Sequence, residues 1–491
     1  MIELGLIAAL ALMPMPRELD WRDGTCTFAE TDVVFVRDAA LPPEGYRIDI
    51  ATNGVTVASA GDAGVFYAMK TLKQLGTNSV PCGTVTDAPA FRWRGVLLDE
   101  GRHFFGKETV KGLLDLMADY KLNVFHWHLT EDQGWRLDIP RFPELVKYGS
   151  VRPESPVHGC TGHPRDYRGN GQPYGPFFYT AADVREILDY AKERFITVVP
   201  EIEIPGHVRA LLAAHPEFAC REGLSRAPRT MNGVEDEVLC AGNDEAIRFV
   251  EQVYDEVCAI FPGTYVHIGG DECPKKRWKE CPKCQARIKA LGLKDEDALQ
   301  TWVTRHFTEY LAKKGRRAIG WDEVLAGEPG LETVVHSWRK QAYAVAAAEK
   351  GHDVVVSALK STYFSVPQGV RDDPFTYLSP KRRCSLATAY AFDPFNGMTD
   401  AAKGHVFGAE CCLWSECIWN EYDLAFKMWP RACAFAEAVW TAPASPRDFK
   451  EFSRRVTIER RRLISRGVNC APLNCPPRPL LGACSNAPFV W

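Results

Sequence analysis

The chain has 491 residues, of which 46% are hydrophobic and 25% are charged. This composition excludes a disordered or fibrous protein and predicts a soluble globular fold of more than one domain. The formal net charge is −4, and the absence of any long run of Lys and Arg argues against nucleic acid or a membrane surface as a partner.

The first apolar stretch, residues 4–13, is too short to span a bilayer. It also lacks the basic segment and the small-residue cleavage site of a secretory signal. We therefore expect a cytoplasmic protein, or a periplasmic or secreted one whose leader lies outside this sequence. The sequence leaves the oligomeric state open.

Residues 1–86 predict a small α+β domain. The stretches TDVVFVR and YRIDIATNGVTVASA alternate apolar and polar residues, which is the period of half-buried strands. The following stretch, GVFYAMKTLKQLG, has the period of an amphipathic helix.

Residues 87–445 alternate short apolar runs with helical stretches, a pattern that predicts parallel strands covered by helices. Eight such runs predict an α/β fold of the TIM (β/α)8 barrel class. The runs are GVLLD (95–99), NVFHWHL (123–129), ITVVPEIE (196–203), YVHIGGDE (265–272), RAIGWDE (317–323), TVVHSW (333–338), DVVVSA (353–358) and VFGAECCLW (406–414).

Two of the covering helices carry clear start signals. Thr180 and Asp183 form a capping box ahead of VREILDYAKERF, and Asn243 precedes DEAIRFVEQVYDEVCAIF. Residues 446–491 contain the helical stretch FKEFSRRVTIERRRLISRG and a Cys- and Pro-rich end, which we expect to pack on the barrel.

The strongest catalytic signal is the carboxylate pair Asp271 and Glu272, which follows an apolar run and two glycines. In a TIM barrel the carboxyl ends of the strands carry the chemistry. Adjacent acids on an exposed edge are usually solvated and inert, but crowding and partial burial here would separate their two pKa values. The position predicts a catalytic pair.

Aromatic residues form a second signal at the ends of the runs. Trp127, Trp321, Trp338 and Trp414 all lie there, and although any single tryptophan commonly belongs to a core, four at one rim suggest the walls of a sugar site. His207 lies near Glu201 and Glu203 without an HExxH-type partner. We expect it to orient a carboxylate rather than to bind a metal.

The 17 cysteines are an odd number, so at least one stays unpaired. Cys273, Cys281 and Cys284 come closest to a metal site because CPKC has ligand-like spacing, but no matching fourth ligand is evident. We therefore favour a structural role for them, as thiols or a disulfide, with zinc as the alternative.

Together these segments resemble glycoside hydrolase family 20, the β-N-acetylhexosaminidases, over nearly the whole chain. The motifs FRWRGVLLDEGRHF, HWHLTEDQGWR, VVPEIEIPGH, HIGGDE, GWDE, the TYF–PQ segment and LWSE occur in the family's order. The unit before the barrel is similar to a shortened form of the family's usual N-terminal domain.

The resemblance implies a role for each matched residue. Asp271 would orient the acetamido group of the substrate, Glu272 would act as the general acid, and Tyr363 would hold the acetamido carbonyl. Substrate binding would fall to Arg94, Asp132, Trp321, Trp338, Trp414 and Glu416, with Glu203 and His207 in support. Glu203 replaces the family's more usual Asp, which leaves its partner open.

The resemblance also implies retaining hydrolysis of terminal GlcNAc or GalNAc in which the substrate supplies the nucleophile. This chemistry requires no metal and no organic cofactor. Two alternatives stay open: a retaining glycosidase with Glu323 as its nucleophile, and a carbohydrate-binding protein on a barrel that has lost its activity.

A further expectation concerns Ser365, which stands where the family usually has Asp. A neutral hydroxyl at this position would repel a 6-O-sulfate less than a carboxylate would. Alternatively, Asp372 or Asp373 on the following loop would take the place of that acid.

Overall fold

The structure is a computed structural model that describes residues 11–157, 167–327, 329–369, 383–441 and 447–473. It contains a small N-terminal domain and a closed barrel of parallel strands surrounded by helices. No helix within these ranges is long and apolar enough to cross a membrane.

The N-terminal domain is a five-stranded mixed sheet with one helix against it. Its strands run β1 (Glu18–Cys26), β2 (Val34–Arg37), β3 (Tyr46–Ala51), β4 (Gly54–Ser59) and β5 (Val80–Asp87), and α1 spans Asp62–Leu75. The strand order is β1-β5-β3-β4-β2. The sequence predicted β2 to β4 and α1, whereas β1 and β5 were not predicted.

The barrel strands are β6 (Trp93–Asp99), β7 (Val124–His128), β10 (Thr197–Glu201), β11 (Tyr265–His267), β12 (Arg317–Trp321), β13 (Val334–Ser337), β14 (Val354–Val356) and β15 (Val406–Leu413). Two short strands, β8 (Thr130–Glu131) and β9 (Gly134–Trp135), form a separate hairpin after β7. Each of the eight predicted apolar runs overlaps one barrel strand, so the predicted α/β barrel with a small N-terminal α+β domain is confirmed.

Among the described residues, the remaining α-helices are α2 (Lys107–Asp119), α3 (Glu144–Gly149), α4 (Ala181–Lys192), α5 (Arg209–Ala214), α6 (Asp244–Ile260), α7 (Lys276–Glu280), α8 (Pro282–Ala290), α9 (Glu296–Lys313), α10 (Gln341–Glu349), α11 (Leu359–Thr362), α12 (Leu386–Tyr390), α13 (Asp400–Lys403), α14 (Glu421–Met428), α15 (Arg431–Trp440) and α16 (Phe449–Ser465).

The predicted helix starts are confirmed. Thr180 and Asp183 form the capping box of α4, and the Asn243 side chain caps α6 by accepting a hydrogen bond from the Glu245 amide. The predicted tail helix is α16, whereas the Cys- and Pro-rich end from residue 474 lies outside the described residues.

The barrel interior is layered along its axis. An apolar floor at the amino ends of the strands includes Trp93, Val124 and Ile319. Above it lies a polar layer in which Glu201 and Glu410 contact three buried imidazoles, those of His126, His267 and His336. The floor closes one end of the barrel, so that the chemistry is confined to the other end.

Candidate functional site

The carboxylate pair is aimed by two glycines at the end of β11. The backbone leaves the strand at Ile268 and turns at Gly269 and Gly270, which have φ angles of 67° and 96°. A Cβ atom on Gly269 would lie 1.7 Å from Oε2 of Glu203. Only glycine therefore allows this turn to pack against the Glu203 carboxyl group.

The two acids differ in exposure. The Asp271 side chain is 15% exposed and that of Glu272 is 43% exposed. Glu272 itself has a φ of 43°, and His207 on the neighbouring loop has a φ of 51°. Such backbone angles are costly for residues with a side chain, so they mark a local geometry that the surrounding structure imposes.

His207 joins the acid pair to a buried group of carboxylates. Its Nε2 lies 3.6 Å from both Asp271 and Glu272, while its Nδ1 donates to Oε1 of Glu131 over 2.7 Å. Burial disfavours the charged ring, but the carboxylates of Glu131 and Asp271 raise the pKa of His207 well above its usual value. The ring is therefore an imidazolium at neutral pH.

The pKa values of the two acids are pushed apart. Burial raises the pKa of Asp271 to about 6 against the opposing effect of His207, and the neighbouring Glu272 adds to the rise. The His207 ring lowers the pKa of Glu272. As the pH falls, Asp271 therefore takes up a proton before Glu272 does.

A third carboxyl group, that of Glu203, lies beneath the pair. Glu203 is buried, and burial together with the nearby Asp271 and Glu201 raises its pKa well above the usual range. Among the residues that the structure describes, its Oε2 has no hydrogen-bond partner. The structure thus places Glu203 and His207 next to Asp271, as the sequence predicted for a supporting network.

Glu201, the last residue of β10, lies beneath the site, and no role was predicted for it from the sequence. Its carboxylate accepts hydrogen bonds from Nδ1 of His128 and from the Trp321 indole over 2.8 Å, and it lies 2.7 Å from Nδ1 of His267. The rings of His267, His128 and His126 hold the pKa of Glu201 well below its usual value despite its burial. The hydrogen bond from its indole to the Glu201 carboxylate fixes Trp321 in one orientation.

Aromatic rings line one side of the site. The Trp338 and Tyr363 rings are nearly parallel with centroids 6.2 Å apart, and Trp414 lies 6.1 Å from Tyr363 and 5.7 Å from Trp321. Trp321 is almost fully buried, whereas Trp338 and Trp414 are partly exposed. These rings form the apolar wall that an acetyl group or a sugar face requires.

The prediction that Trp127 belongs to this wall is wrong. Side chains alternate along a strand, and since His126 and His128 point into the barrel, Trp127 points outward. It is fully buried between the barrel and its helices, against Tyr179 and Phe261.

The structure also contradicts the placement of Arg94 in the site. Arg94 is the second residue of β6, at the amino end of the strand, and is completely buried. Its guanidinium group bonds to Glu44 over 2.8 Å and to the Tyr67 hydroxyl over 3.1 Å. Arg94 therefore joins the barrel to the N-terminal domain, at the end opposite the catalytic pair.

Arg102, which belongs to the same motif FRWRGVLLDEGRHF as Arg94, is the arginine that reaches the site. It lies three residues beyond the end of β6 and pairs with Asp99 over 3.2 Å and with Glu131 over 3.0 Å. Its guanidinium group lies 5.1 Å from the centroid of Trp414. Arg102 and Glu416 line one surface cavity.

Asp132 lies behind His207 and does not form part of the wall of the site. It is completely buried, accepts a hydrogen bond from the Arg209 amide, and lies 3.5 Å from Nδ1 of His207. The sequence predicted it as a substrate ligand. Its position behind His207 gives it contact with the ring instead.

The end of the GWDE motif supplies two acids with different environments. Asp322 is buried and accepts hydrogen bonds from the backbone amides of Trp338 and Arg339. Glu323 accepts a hydrogen bond from the Trp338 indole over 2.9 Å. Burial, with added repulsion from Asp271, raises the pKa of Glu323 to about 8, so Glu323 is protonated at neutral pH.

The polar layer and the site contain several groups of metal-ligating side chains. His207, Asp271 and Glu272 form one such group, and Glu131, Asp132 and His207 form another. A further group consists of four cysteines, and two of them, Cys281 and Cys284, belong to the predicted CPKC motif. The expectation that CPKC lacks further thiolate partners is wrong, because Cys220 and Cys240 fold against Cys281 and Cys284, whereas Cys273 does not join them.

Ser365 lies two residues after Tyr363 and is largely buried. Asp372 and Asp373, its predicted alternatives, lie outside the described residues.

A parallel barrel that presents an acid pair beside a wall of tryptophans is the architecture expected of a glycoside hydrolase. The glycosyl hydrolase family 20 catalytic domain matches residues 91–443, and domain 2 of that family matches residues 25–88. The chain therefore belongs to glycosyl hydrolase family 20 and is a β-N-acetylhexosaminidase by class.

Individual relatives agree with this classification. A β-hexosaminidase of Porphyromonas gingivalis is 41% identical, over 88% of this chain and 55% of the relative. A β-hexosaminidase of Akkermansia muciniphila is 33% identical, over 94% of this chain and 91% of the relative. The exo β-N-acetylglucosaminidase of Vibrio harveyi in complex with N-acetylglucosamine has a TM-score of 0.82 at 29% identity, over 95% of this chain and 79% of that one.

Proposed function

We propose that this protein removes terminal β-linked N-acetylhexosamine from glycans with retention of configuration, through an oxazolinium intermediate. Two features of the carboxyl groups in the site support the proposal. The buried Oδ1 of Asp271, near the aromatic wall, has no hydrogen-bond partner within the described part of the chain, and the carboxyl group of Glu323 is protonated at neutral pH. The site thus offers an acceptor for an amide N–H, while Glu323, the alternative protein nucleophile, is not ionised at neutral pH.

The substrate's own acetamido group supplies the missing nucleophile. Its N–H donates to Asp271, and its carbonyl oxygen, positioned by the Tyr363 hydroxyl, attacks the anomeric carbon. Trp321, Trp338 and Trp414 enclose the methyl group and the sugar face. An intramolecular attack of this kind gains a large effective molarity, so the protein needs only to hold the amide in place.

Glu272 donates the proton that the leaving group requires. As the carbonyl oxygen bonds to the anomeric carbon, the glycosidic C–O bond breaks and the leaving oxygen takes the proton of Glu272. Water then attacks the same carbon, Glu272 accepts the water's proton, and the oxazolinium ring reopens to the acetamide. Two inversions at one carbon give net retention.

Substrate binding reverses the proton order of the free site. An amide N–H bonded to Asp271 stabilises the carboxylate and lowers its pKa, while a sugar covering the exposed side of Glu272 desolvates that acid and raises its pKa. The proton moves to the residue that must donate it. Asp271 then stabilises the positive oxazolinium as a carboxylate.

Recognition of the sugar hydroxyls falls to Arg102 and Glu416. A guanidinium group held by Asp99 and Glu131 presents fixed donors, and Glu416 presents acceptors on the same cavity. The Vibrio harveyi structure, which contains N-acetylglucosamine, supports this choice of sugar.

A panel of aryl β-glycosides tests the proposal. We expect turnover of the GlcNAc and GalNAc glycosides and no measurable turnover of the glucoside, which lacks the acetamido group. Comparable kcat/KM values for glucoside and GlcNAc glycoside would overturn the proposal and favour a protein nucleophile. The 6-sulfated GlcNAc glycoside, assayed with wild type and Ser365→Asp, additionally measures whether Ser365 admits a sulfate.

A further inference from the structure

Four cysteines converge beside the catalytic loops, and their role is separate from the hydrolysis. The group consists of Cys220, Cys240, Cys281 and Cys284, hereafter the cysteine cluster. All four Sγ atoms lie within 4.8 Å of one another. We propose that the cysteine cluster binds one structural Zn²⁺ ion.

The sulfur positions have the dimensions of a tetrahedral site. The Sγ atoms are 3.7 Å apart for Cys240 and Cys281, 3.8 Å for Cys240 and Cys284, and 3.9 Å for Cys220 and Cys284. Four thiolates around a zinc ion at about 2.3 Å occupy the corners of a tetrahedron with edges of about 3.8 Å. The observed separations match these edges.

Disulfide bonds account for this geometry less well. A sulfur in a disulfide has one bonded partner at about 2.05 Å. Cys240 instead lies almost equally far from Cys281 and from Cys284, and Cys284 has two sulfur neighbours. Several metal ions bridged by sulfide would need more room than the 4.8 Å that contains all four Sγ atoms. A single ion fits.

The surroundings are those of a closed structural site. Three of the four side chains are buried, and only Cys220 is partly exposed. Cys281 and Cys284 bracket the start of α8 in the spacing of a zinc knuckle. A Cβ atom on Gly242 would lie 2.1 Å from the Lys283 backbone, so glycine there permits the close approach of the two chain segments.

The cluster joins the two loops that carry the catalytic groups. Cys220 and Cys240 belong to the segment between β10 and α6, which also contains His207, and they are aligned by the Ala219–Leu239 bridge. Cys281 and Cys284 follow Glu272 in the segment after β11. The Trp278 indole also donates to the Leu239 carbonyl over 2.9 Å, which ties the same two segments.

The zinc would act by positioning and would not touch the substrate. Gly206 packs against the Asp271 carbonyl, where a Cβ atom would lie at 3.1 Å, so the two segments meet at the acid pair as well as at the cluster. Loss of the ion would break the contact that the two segments make at the cysteine cluster. We expect a lower melting temperature and a higher KM, with the pH dependence of kcat/KM unchanged.

Metal analysis of the untagged protein, purified in metal-free buffer, tests the assignment. We expect one zinc per chain, X-ray absorption that reports four sulfur neighbours at about 2.3 Å, and loss of zinc in the variant Cys281→Ser/Cys284→Ser. The matched control is Cys258→Ser in α6, a partly buried cysteine outside the cluster, which should retain the zinc.

Titration of wild type with a mercurial reagent provides a measurement that does not depend on the folding of the variant. Zinc should be released as four thiols react. The proposal is overturned by protein that is free of zinc with these cysteines as thiols or disulfides, by iron in place of zinc, or by zinc that persists in the double variant.

Discussion

At the scale of single residues, two arginines of one motif serve opposite ends of the barrel. Arg94 and Arg102 are eight positions apart, and between them the chain runs the length of β6. An extended strand advances about 3.3 Å per residue, so the two arginines lie far apart. Arg94 therefore holds the domain interface, and Arg102 faces the site. Their different environments predict different phenotypes for the same conservative substitution.

Arg102→Lys should lower kcat/KM about 10- to 100-fold while leaving the melting temperature nearly unchanged. A lysine cannot reproduce the fork that joins Asp99 to Glu131 and presents donors to the sugar. Steady-state kinetics on an aryl GlcNAc glycoside measure the effect.

Arg94→Lys is the matched control. It should lower the free energy of unfolding by about 1–3 kcal/mol because it breaks hydrogen bonds to Glu44 and Tyr67, and it should leave kcat/KM of the folded enzyme intact. The reverse pattern in the two variants would return Arg94 to the site and remove Arg102 from it.

The pKa of Asp271 predicts the acid side of the pH profile. The kcat/KM value reports the free enzyme, in which Asp271 has a pKa raised to about 6. Below that pH the carboxylate is protonated and no longer stabilises the cationic intermediate, so kcat/KM should fall as the pH decreases. Asp271→Asn should be about 10²- to 10³-fold slower and should lack this limb. An acid limb that persists unchanged in the variant would assign it to another group.

The residues of the site were predictable to differing degrees. The acid pair, Tyr363 and three of the tryptophans follow from strand ends and from the family resemblance. Trp127 was misplaced although the alternation of side chains along β7 was sufficient to exclude it. The cysteine cluster was not predictable, because nothing local shows that Cys220 folds against Cys284 across 64 positions.

At the scale of elements, the turn that follows β11 controls the direction of the acid pair. Gly269 and Gly270 have left-handed φ angles, and Gln300 from α9 donates to the Gly270 carbonyl over 2.6 Å. The turn is therefore held from the barrel side by Glu203 and from the helix side by Gln300. Its geometry allows little change.

Gly269→Ala should lower both the melting temperature and kcat, the latter at least about 10-fold, because the new Cβ atom must displace Glu203 and so disturb Asp271. Gly315→Ala is the control. Gly315 has a similar φ of 72° but open space around its Cβ position, so it should show only the backbone cost of about 1–2 kcal/mol. Equal effects of the two substitutions on kcat would contradict a specific role for the turn.

The elements themselves were largely predictable because the barrel strands are apolar and bounded by turn residues. Capping residues located the starts of α4 and α6. Strands β1 and β5 were missed because they pair with each other at an edge of the first sheet, and β1 is mostly exposed with little apolar alternation. Pairing of this kind depends on contacts that are distant in the chain.

At the scale of the whole molecule, the polar layer of the barrel links stability to pH. His126 faces Glu201, Glu410 and two further imidazoles, and His128 faces Glu201, Glu131 and Asp99. Burial opposes the charge on both rings, yet these carboxylates raise the pKa of His126 to about 9 and that of His128 to about 10.

The free energy of unfolding should therefore fall on the alkaline side. A histidine whose pKa is raised on folding contributes its full stabilisation below the unfolded value of about 6.5 and loses it as the pH rises through the folded value. Burial raises the pKa of Glu100 to about 8, which acts in the same direction. Thermal unfolding should occur at a lower temperature at about pH 10 than at about pH 7, and an equal or higher melting temperature at the alkaline pH would contradict this account of the layer.

If the substrate's own amide is the nucleophile, as proposed above, weakening that amide must slow the reaction. Aryl β-glycosides with acetyl, monofluoroacetyl, difluoroacetyl and trifluoroacetyl groups on the C2 nitrogen differ little in shape, but each fluorine draws electron density from the carbonyl oxygen. Attack by the acetamido oxygen predicts that kcat/KM falls steadily and steeply along this series. Rates that are independent of the number of fluorines would contradict it and would place the nucleophile on the protein.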